Sequence, residues 1–169
     1  MPIRFLDTSA LKHRYTKNGD LTSRIRRIVS DKRYECYIAD WTVVEIASAL
    51  GDHCRGNNMG IQHFDKMNQK FFGDLASGRV KVRVTNSRGM LQARTLLRKG
   101  VSIRRNVHTG DALLAACCRE LALDAGERVT FYTSDWKLYK LLRDIDAYRS
   151  VMRLRFVGIA KEGIPPTTG

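Results

Sequence analysis

Apolar positions along this chain follow two alternating rhythms, short runs suited to strands and longer stretches with helical spacing. The run Ile3 to Leu6 is too brief for a helix and is closed by Asp7, Thr8 and Ser9, which predicts a buried strand. After the turn signal Asn18-Gly19, the spacing of Leu21, Ile25, Ile28 and Val29 predicts a helix over 20–32, with Arg24, Arg26 and Arg27 on its polar side. Cys36 to Ala39 reads as a second strand. A helix capped by Asp40 or Thr42 then runs through Val43, Ile46 and Leu50, with Glu45 in its first turn. Past the break at Gly56-Asn57-Asn58, a stripe of Ile61, Phe64, Met67, Phe71 and Leu75 predicts a helix ending near Gly78.

Residues 79–84 alternate strictly, with Val80, Val82 and Val84 on one face and Arg79, Lys81 and Arg83 on the other, the pattern of a half-buried strand. A helix over 87–99 follows, then one capped by Thr109 through Leu121. A strand is predicted over 129–132, a helix over 134–142 and a last strand over 153–159. Strands alternating with helices imply an α/β fold with a mostly parallel sheet, because parallel neighbours need crossover connections. With 169 residues, one domain over 1–160 and a C-terminal tail over 161–169 are expected.

Composition narrows the function. Thirty Lys and Arg against 17 Asp and Glu leave a net charge of +13, which points to a polyanionic partner. Nine of the basic residues fall between Arg79 and Arg105 with no acid among them. Arg79, Lys81, Arg83, Arg104 and Arg105 are the candidate nucleic-acid contacts of that segment. The longest apolar run, Ala112 to Cys118, is far below the roughly 18 residues that span a bilayer, and Asp7 and Lys12 interrupt any secretory signal. Cys36, Cys54, Cys117 and Cys118 show no C-x-x-C spacing and read as free thiols of a cytoplasmic protein.

In a parallel sheet, strand C-termini and helix N-termini share one edge, and ligands bind there. Asp7, Glu45, Asp111 and Asp135 each map to that edge. Singly, each has an ordinary explanation as a helix cap or a partner of the macrodipole. Together, at separations of about 5 Å, each like-charge pair would cost roughly 3 kcal/mol at an effective dielectric of 20. Either some carboxylates stay protonated or divalent cations bind among them. All-oxygen donors favour Mg²⁺ or Mn²⁺, one or two per site, and such ions promote phosphodiester hydrolysis.

The segments Phe5-Leu-Asp-Thr-Ser-Ala-Leu11, Val43-Val-Glu-Ile-Ala-Ser-Ala-Leu50, Thr109-Gly-Asp-Ala-Leu-Leu-Ala-Ala116 and Phe131-Tyr-Thr-Ser-Asp-Trp-Lys-Leu-Tyr139 stand in the order and approximate spacing of a known family. Over residues 3 to about 142 the sequence resembles the PIN-domain nucleases, particularly the VapC-type toxins of toxin-antitoxin pairs. The resemblance implies a PIN-like three-layer fold and a Mg²⁺- or Mn²⁺-dependent endoribonuclease. It implies Asp7 and Asp111 as principal metal ligands, Glu45 and Asp135 completing the site or positioning water, and Thr8, Ser9 and Thr133 in support. It also implies RNA as substrate, a cognate antitoxin and a homodimer. Asp40 and Leu138 depart from the family pattern, and residues 56–78 look like an insertion. Rival readings are a PIN-like binding or scaffold module without activity, an RNA-processing nuclease without an antitoxin, and a phosphotransferase using Asp7. Ser9 disfavours the last, because it stands where many such enzymes need a second aspartate.

Overall fold

A computed structural model describes residues 1–17, 19–103 and 105–158, so Asn18, Arg104 and the expected tail 161–169 lie outside the described residues. Five parallel strands form one sheet: β1 (Ile3–Leu6), β2 (Glu35–Ala39), β3 (Lys81–Arg83), β4 (Val129–Thr133) and β5 (Met152–Phe156). Their spatial order is β3-β2-β1-β4-β5. Helices α1 (Thr8–Leu11), α2 (Gly19–Ser30), α3 (Asp40–Gly56) and α4 (Ile61–Ala76) make the first crossovers, with a 3₁₀ turn at Lys12–Arg14. Helices α5 (Ser87–Ser102), α6 (Thr109–Ala125), α7 (Trp136–Arg143) and α8 (Asp146–Arg149) make the later ones.

Alternation within the strands sends side chains to two cores. Leu6, Cys36 and Ile38 pack with Ile25, Ile46, Leu50 and Phe71 from the earlier helices. Ile3, Phe5, Ala39, Val129 and Phe131 pack with Leu96, Leu114, Leu121 and Leu142 from the later ones. The result is the expected α/β three-layer architecture. Phe5 and Phe131, both fully buried, stack across β1 and β4 with ring centroids 6.1 Å apart. The chain builds outward from β1 to β3 on one side and from β4 to β5 on the other, so the strand order reverses between β1 and β4. That reversal opens a crevice at the strand C-termini.

Several local expectations differ from the structure. Val80 is buried, but Val82 and Val84 are exposed, because β3 is a three-residue edge strand whose outer part no helix covers. Helix α3 starts at Asp40 with Ala39 as N-cap, which puts Glu45 in its second turn. The Asp40 carboxylate instead accepts from the Thr85 hydroxyl at 2.9 Å. Thr109 is the first residue of α6, whose N-cap is His108 without a side-chain cap, and α7 begins at Trp136 behind an Asp135 cap. The stripe on α4 is only partly core: Met67 and Phe71 are buried, whereas Ile61 is exposed. All four cysteines are free and buried. Among the described residues, no helix is long and apolar enough to cross a membrane.

One buried charge ties the 3₁₀ turn to α4. Asp74 accepts from Arg14 Nε at 2.5 Å, from Arg14 Nη2 at 3.0 Å, from the Tyr15 hydroxyl at 3.0 Å and from Arg79 Nη1 at 2.5 Å. Burial alone would raise the pKa of this carboxyl, but the hydrogen bonds from Arg14 and Arg79 outweigh it and hold it below 3.8. Removing one member of a buried pair strands its partner, so Asp74→Ala should lower the unfolding free energy by about 3 kcal/mol at neutral pH. A folded pKa below the unfolded one gives stability that is fully present above pH 3.8 and lost as pH falls through the folded value. Denaturant titrations should therefore show the gap between wild type and variant narrowing in strong acid. A gap that is absent at neutral pH would refute this role.

Candidate functional site

The crevice between β1 and β4 collects the chemistry. Asp7 directly follows β1; its backbone N–H donates to Tyr132 O at 3.0 Å, extending the strand pairing by one residue. Its extended backbone (φ −72°, ψ 152°) makes it the N-cap of α1. The Asp7 carboxylate accepts from the Ser9 hydroxyl at 2.5 Å, the Thr133 hydroxyl at 2.6 Å and Ser9 N–H at 3.3 Å. Ser9 is itself held by β4's end, since Ser134 N–H donates to Ser9 Oγ at 3.0 Å and Ser134 Oγ to Ser9 O at 2.7 Å. Asp7 is only 5% exposed, and burial pushes its pKa up, opposed by the Ser9 and Thr133 hydrogen bonds and reinforced by the charge of Glu45.

The other three acids come from helix starts at the same rim. Glu45 accepts from the Thr8 hydroxyl and from the Trp41 indole N–H, the latter at 2.8 Å. Gly110 stands close by: a Cβ there would lie 2.8 Å from Glu45 Oε1 and 3.4 Å from Trp41 Nε1, so a side chain at this position would push the Glu45 carboxylate aside. Asp135 Oδ1 accepts the Lys137 and Leu138 backbone N–H groups at 2.7 and 3.0 Å, the usual work of a cap. Among the described residues the Asp111 side chain accepts no hydrogen bond, and its pKa is pushed up to about 6. Burial is the first cause, followed by the charges of Asp7, Asp135 and Glu45, with nearby His108 opposing them.

All four acids line one open cleft of about 330 Å³ together with Thr8, Ser9, Lys12, Ser48, Ala49 and Asp52. Lys12 and Asp52 carry no motif signal; they arrive because α1 and α3 run side by side away from the rim. Among the described residues, however, no three His, Cys, Asp or Glu side chains are gathered closely enough to hold an ion between them. The donor set still fits a hard cation. Mg²⁺ commonly keeps several waters and takes only one or two carboxylates, and Asp111 offers one that repels its neighbours and accepts no hydrogen bond among the described residues.

The expected basic track is not assembled here. Arg79 and Lys81 lie toward the opposite edge of the sheet, paired with Asp74 at 2.5 Å and Glu35 at 2.6 Å. Arg83 pairs with Asp124, and Arg105 pairs with Asp144 at 2.6 Å. Arg104 lies outside the described residues. The physical reason is local neutralisation: each of these four cations pairs with an acid, and for Lys81, Arg83 and Arg105 that acid stands 39 or more residues away in sequence.

Because the Thr133 hydroxyl lowers the Asp7 pKa, Thr133→Val should move the Asp7 titration upward. Carboxyl carbon NMR of the metal-free protein reads this directly. An unchanged or lowered midpoint would show that the hydroxyl does not hold the carboxylate.

No family model matches the sequence, and no curated protein does either. Solved structures do. The chain is similar to VapBC2 from Rickettsia felis bound to a promoter DNA fragment, at 12% identity and TM-score 0.59 over 91% of this chain and 98% of that one. VapBC-1 from nontypeable Haemophilus influenzae matches at 15% identity and TM-score 0.55, covering 92% and 98% of the two chains. VapBC-5 from Mycobacterium tuberculosis, from a family of toxin-antitoxin systems, matches at 12% identity and TM-score 0.54, covering 94% and 100%. The chain thus has the PIN-like α/β fold, shared with these VapBC structures, that the motifs around Asp7, Glu45, Asp111 and Asp135 imply.

Proposed function

We propose that this chain is a Mg²⁺- or Mn²⁺-dependent endoribonuclease acting as the toxin of a toxin-antitoxin pair. The observation that carries the reading is the Asp111 carboxylate, which accepts no hydrogen bond among the described residues and whose pKa is raised by burial and by three other acids, in an open cleft at the strand-order reversal. Such a group gains most from a bound cation, and the fold is shared with VapBC structures.

Asp7 and Asp111 would hold the cation. When bound, it would neutralise a phosphodiester oxygen and make a water molecule more acidic. Ser9 and Thr133 keep Asp7 oriented, so this carboxylate is set before substrate arrives. Asp135 spends Oδ1 on its helix cap and keeps Oδ2 facing other work, while Glu45, fixed by Thr8 and Trp41, is placed to accept a proton from the attacking water. Lys12, which lines the cleft, suits an incoming phosphate. RNA is the substrate, a cognate antitoxin the protein partner, and a second copy of the chain a further one. The spacing of the acids gives a second reading some footing, a PIN-like binding module without catalysis.

Single-stranded RNA, end-labelled and incubated with the protein in Mn²⁺, separates the two readings. Asp7→Asn and Asp111→Asn should each slow cleavage by about a hundredfold or more, as loss of roughly 3 kcal/mol of transition-state stabilisation requires, with unchanged circular dichroism. A chelator should abolish cleavage. RNA binding without metal-dependent cleavage would favour the binding module instead.

A further inference from the structure

A cleft of about 550 Å³ lies away from the carboxylates. It opens at the opposite edge of the sheet, where α2 ends before β2 and α4 ends before β3, beside the 3₁₀ turn. Arg14, Arg26, Lys70 and Arg79 line it against a single carboxylate, Asp74.

That carboxylate is buried and saturated. It takes two N–H groups of Arg14, one of Arg79 and the Tyr15 hydroxyl, so it orients two guanidinium groups without neutralising the rest of the lining. Arg26 and Lys70 are exposed, and among the described residues they form no ion pair. They face one cavity from two helices. Arg26 shares a face of α2 with Ser30, whose hydroxyl also lines it, and Lys70 shares a face of α4 with Gly73. A Cβ built on Gly73 meets nothing within 4 Å, so the α4 wall stands back from the other side.

The lining discriminates between anions. It contains no aliphatic side chain, so an amphipathic helix would find no seat for its apolar anchors. The exposed Arg26 guanidinium, the Lys70 ammonium and the half-exposed Arg79 guanidinium, which Asp74 holds by Nη1, instead match the several oxygens and dense charge of phosphate. We propose that this cleft binds adjacent phosphate groups, either of a nucleic-acid strand or of a free polyphosphate. The site is separate from the carboxylates and does not depend on the nuclease reading.

Inorganic tripolyphosphate is the probe, titrated calorimetrically into the full chain in metal-free, low-salt buffer. The test variants are Arg26→Ala/Lys70→Ala, which removes two exposed unpaired cations, and Gly73→Glu, which places a negative charge in the open part of the cleft. Neither disturbs a packed contact, and circular dichroism checks the fold. Wild type should bind at one saturable site, and each variant should weaken binding about tenfold or more, the loss expected for one or two charge-assisted hydrogen bonds. Asp111→Asn should bind like wild type. A short single-stranded RNA that displaces tripolyphosphate and is weakened by the same variants identifies the strand as the source of the phosphates. RNA binding indifferent to them, with tripolyphosphate still sensitive, identifies a free polyphosphate. No saturable binding, binding indifferent to both variants, or a polyglutamate peptide occupying the cleft in place of phosphate overturns the proposal.

Discussion

Mutual repulsion among Asp7, Glu45, Asp111 and Asp135 is the constraint around which the rim is organised. Burial disfavours the ionised form of Asp111 most, and the charges of Asp7, Asp135 and Glu45 add to the penalty. A protein pays for such an arrangement only where something restores the balance. Part of the compensation is built in: hydroxyls and a backbone N–H hold Asp7, a hydroxyl and an indole hold Glu45, and helix N–H groups hold Asp135. Asp111 receives none of this, which makes it the natural point of entry for an external positive charge.

The apolar layers bring these acids together. Phe5 and Phe131 stack within the sheet, and the strands that carry them end at Asp7 and Thr133, whose side chains then meet across the crevice at 2.6 Å. Two cores, one on each face, anchor the helices whose N-terminal halves carry Glu45 and Asp111. The site is therefore a by-product of packing order: reversing the direction of strand addition at β1 and β4 leaves a gap between helix layers at the strand ends where the acids stand.

Much of this was legible because it depends on local pattern. The run Ile3 to Leu6 closed by Asp7, and the alternation of strand and helix segments, place all four acids at one rim before any coordinates are known. What was not legible depends on contacts between distant segments. Lys81 and Arg83 look like a free basic face until Glu35 and Asp124 neutralise them. Val82 and Val84 alternate as a buried strand should, yet they occupy a sheet edge without cover. Lys12 and Asp52 reach the cleft only through the packing of α1 on α3. Gly110 reads as a helix-start residue, and only the structure shows that a Cβ there would crowd the tip of Glu45.

The direct test of carboxylate repulsion is the unfolding free energy of wild type and Asp111→Asn at about pH 8, measured with a chelator and again with Mn²⁺. At that pH a carboxyl whose folded pKa stands near 6, above its unfolded 3.8, is ionised in both states and carries its full folding penalty. Without metal the variant should be the more stable protein, by about 1 kcal/mol or more, and Mn²⁺ should stabilise wild type far more than the variant. A wild type at least as stable as Asp111→Asn in chelator, with Mn²⁺ shifting neither protein, would contradict the account.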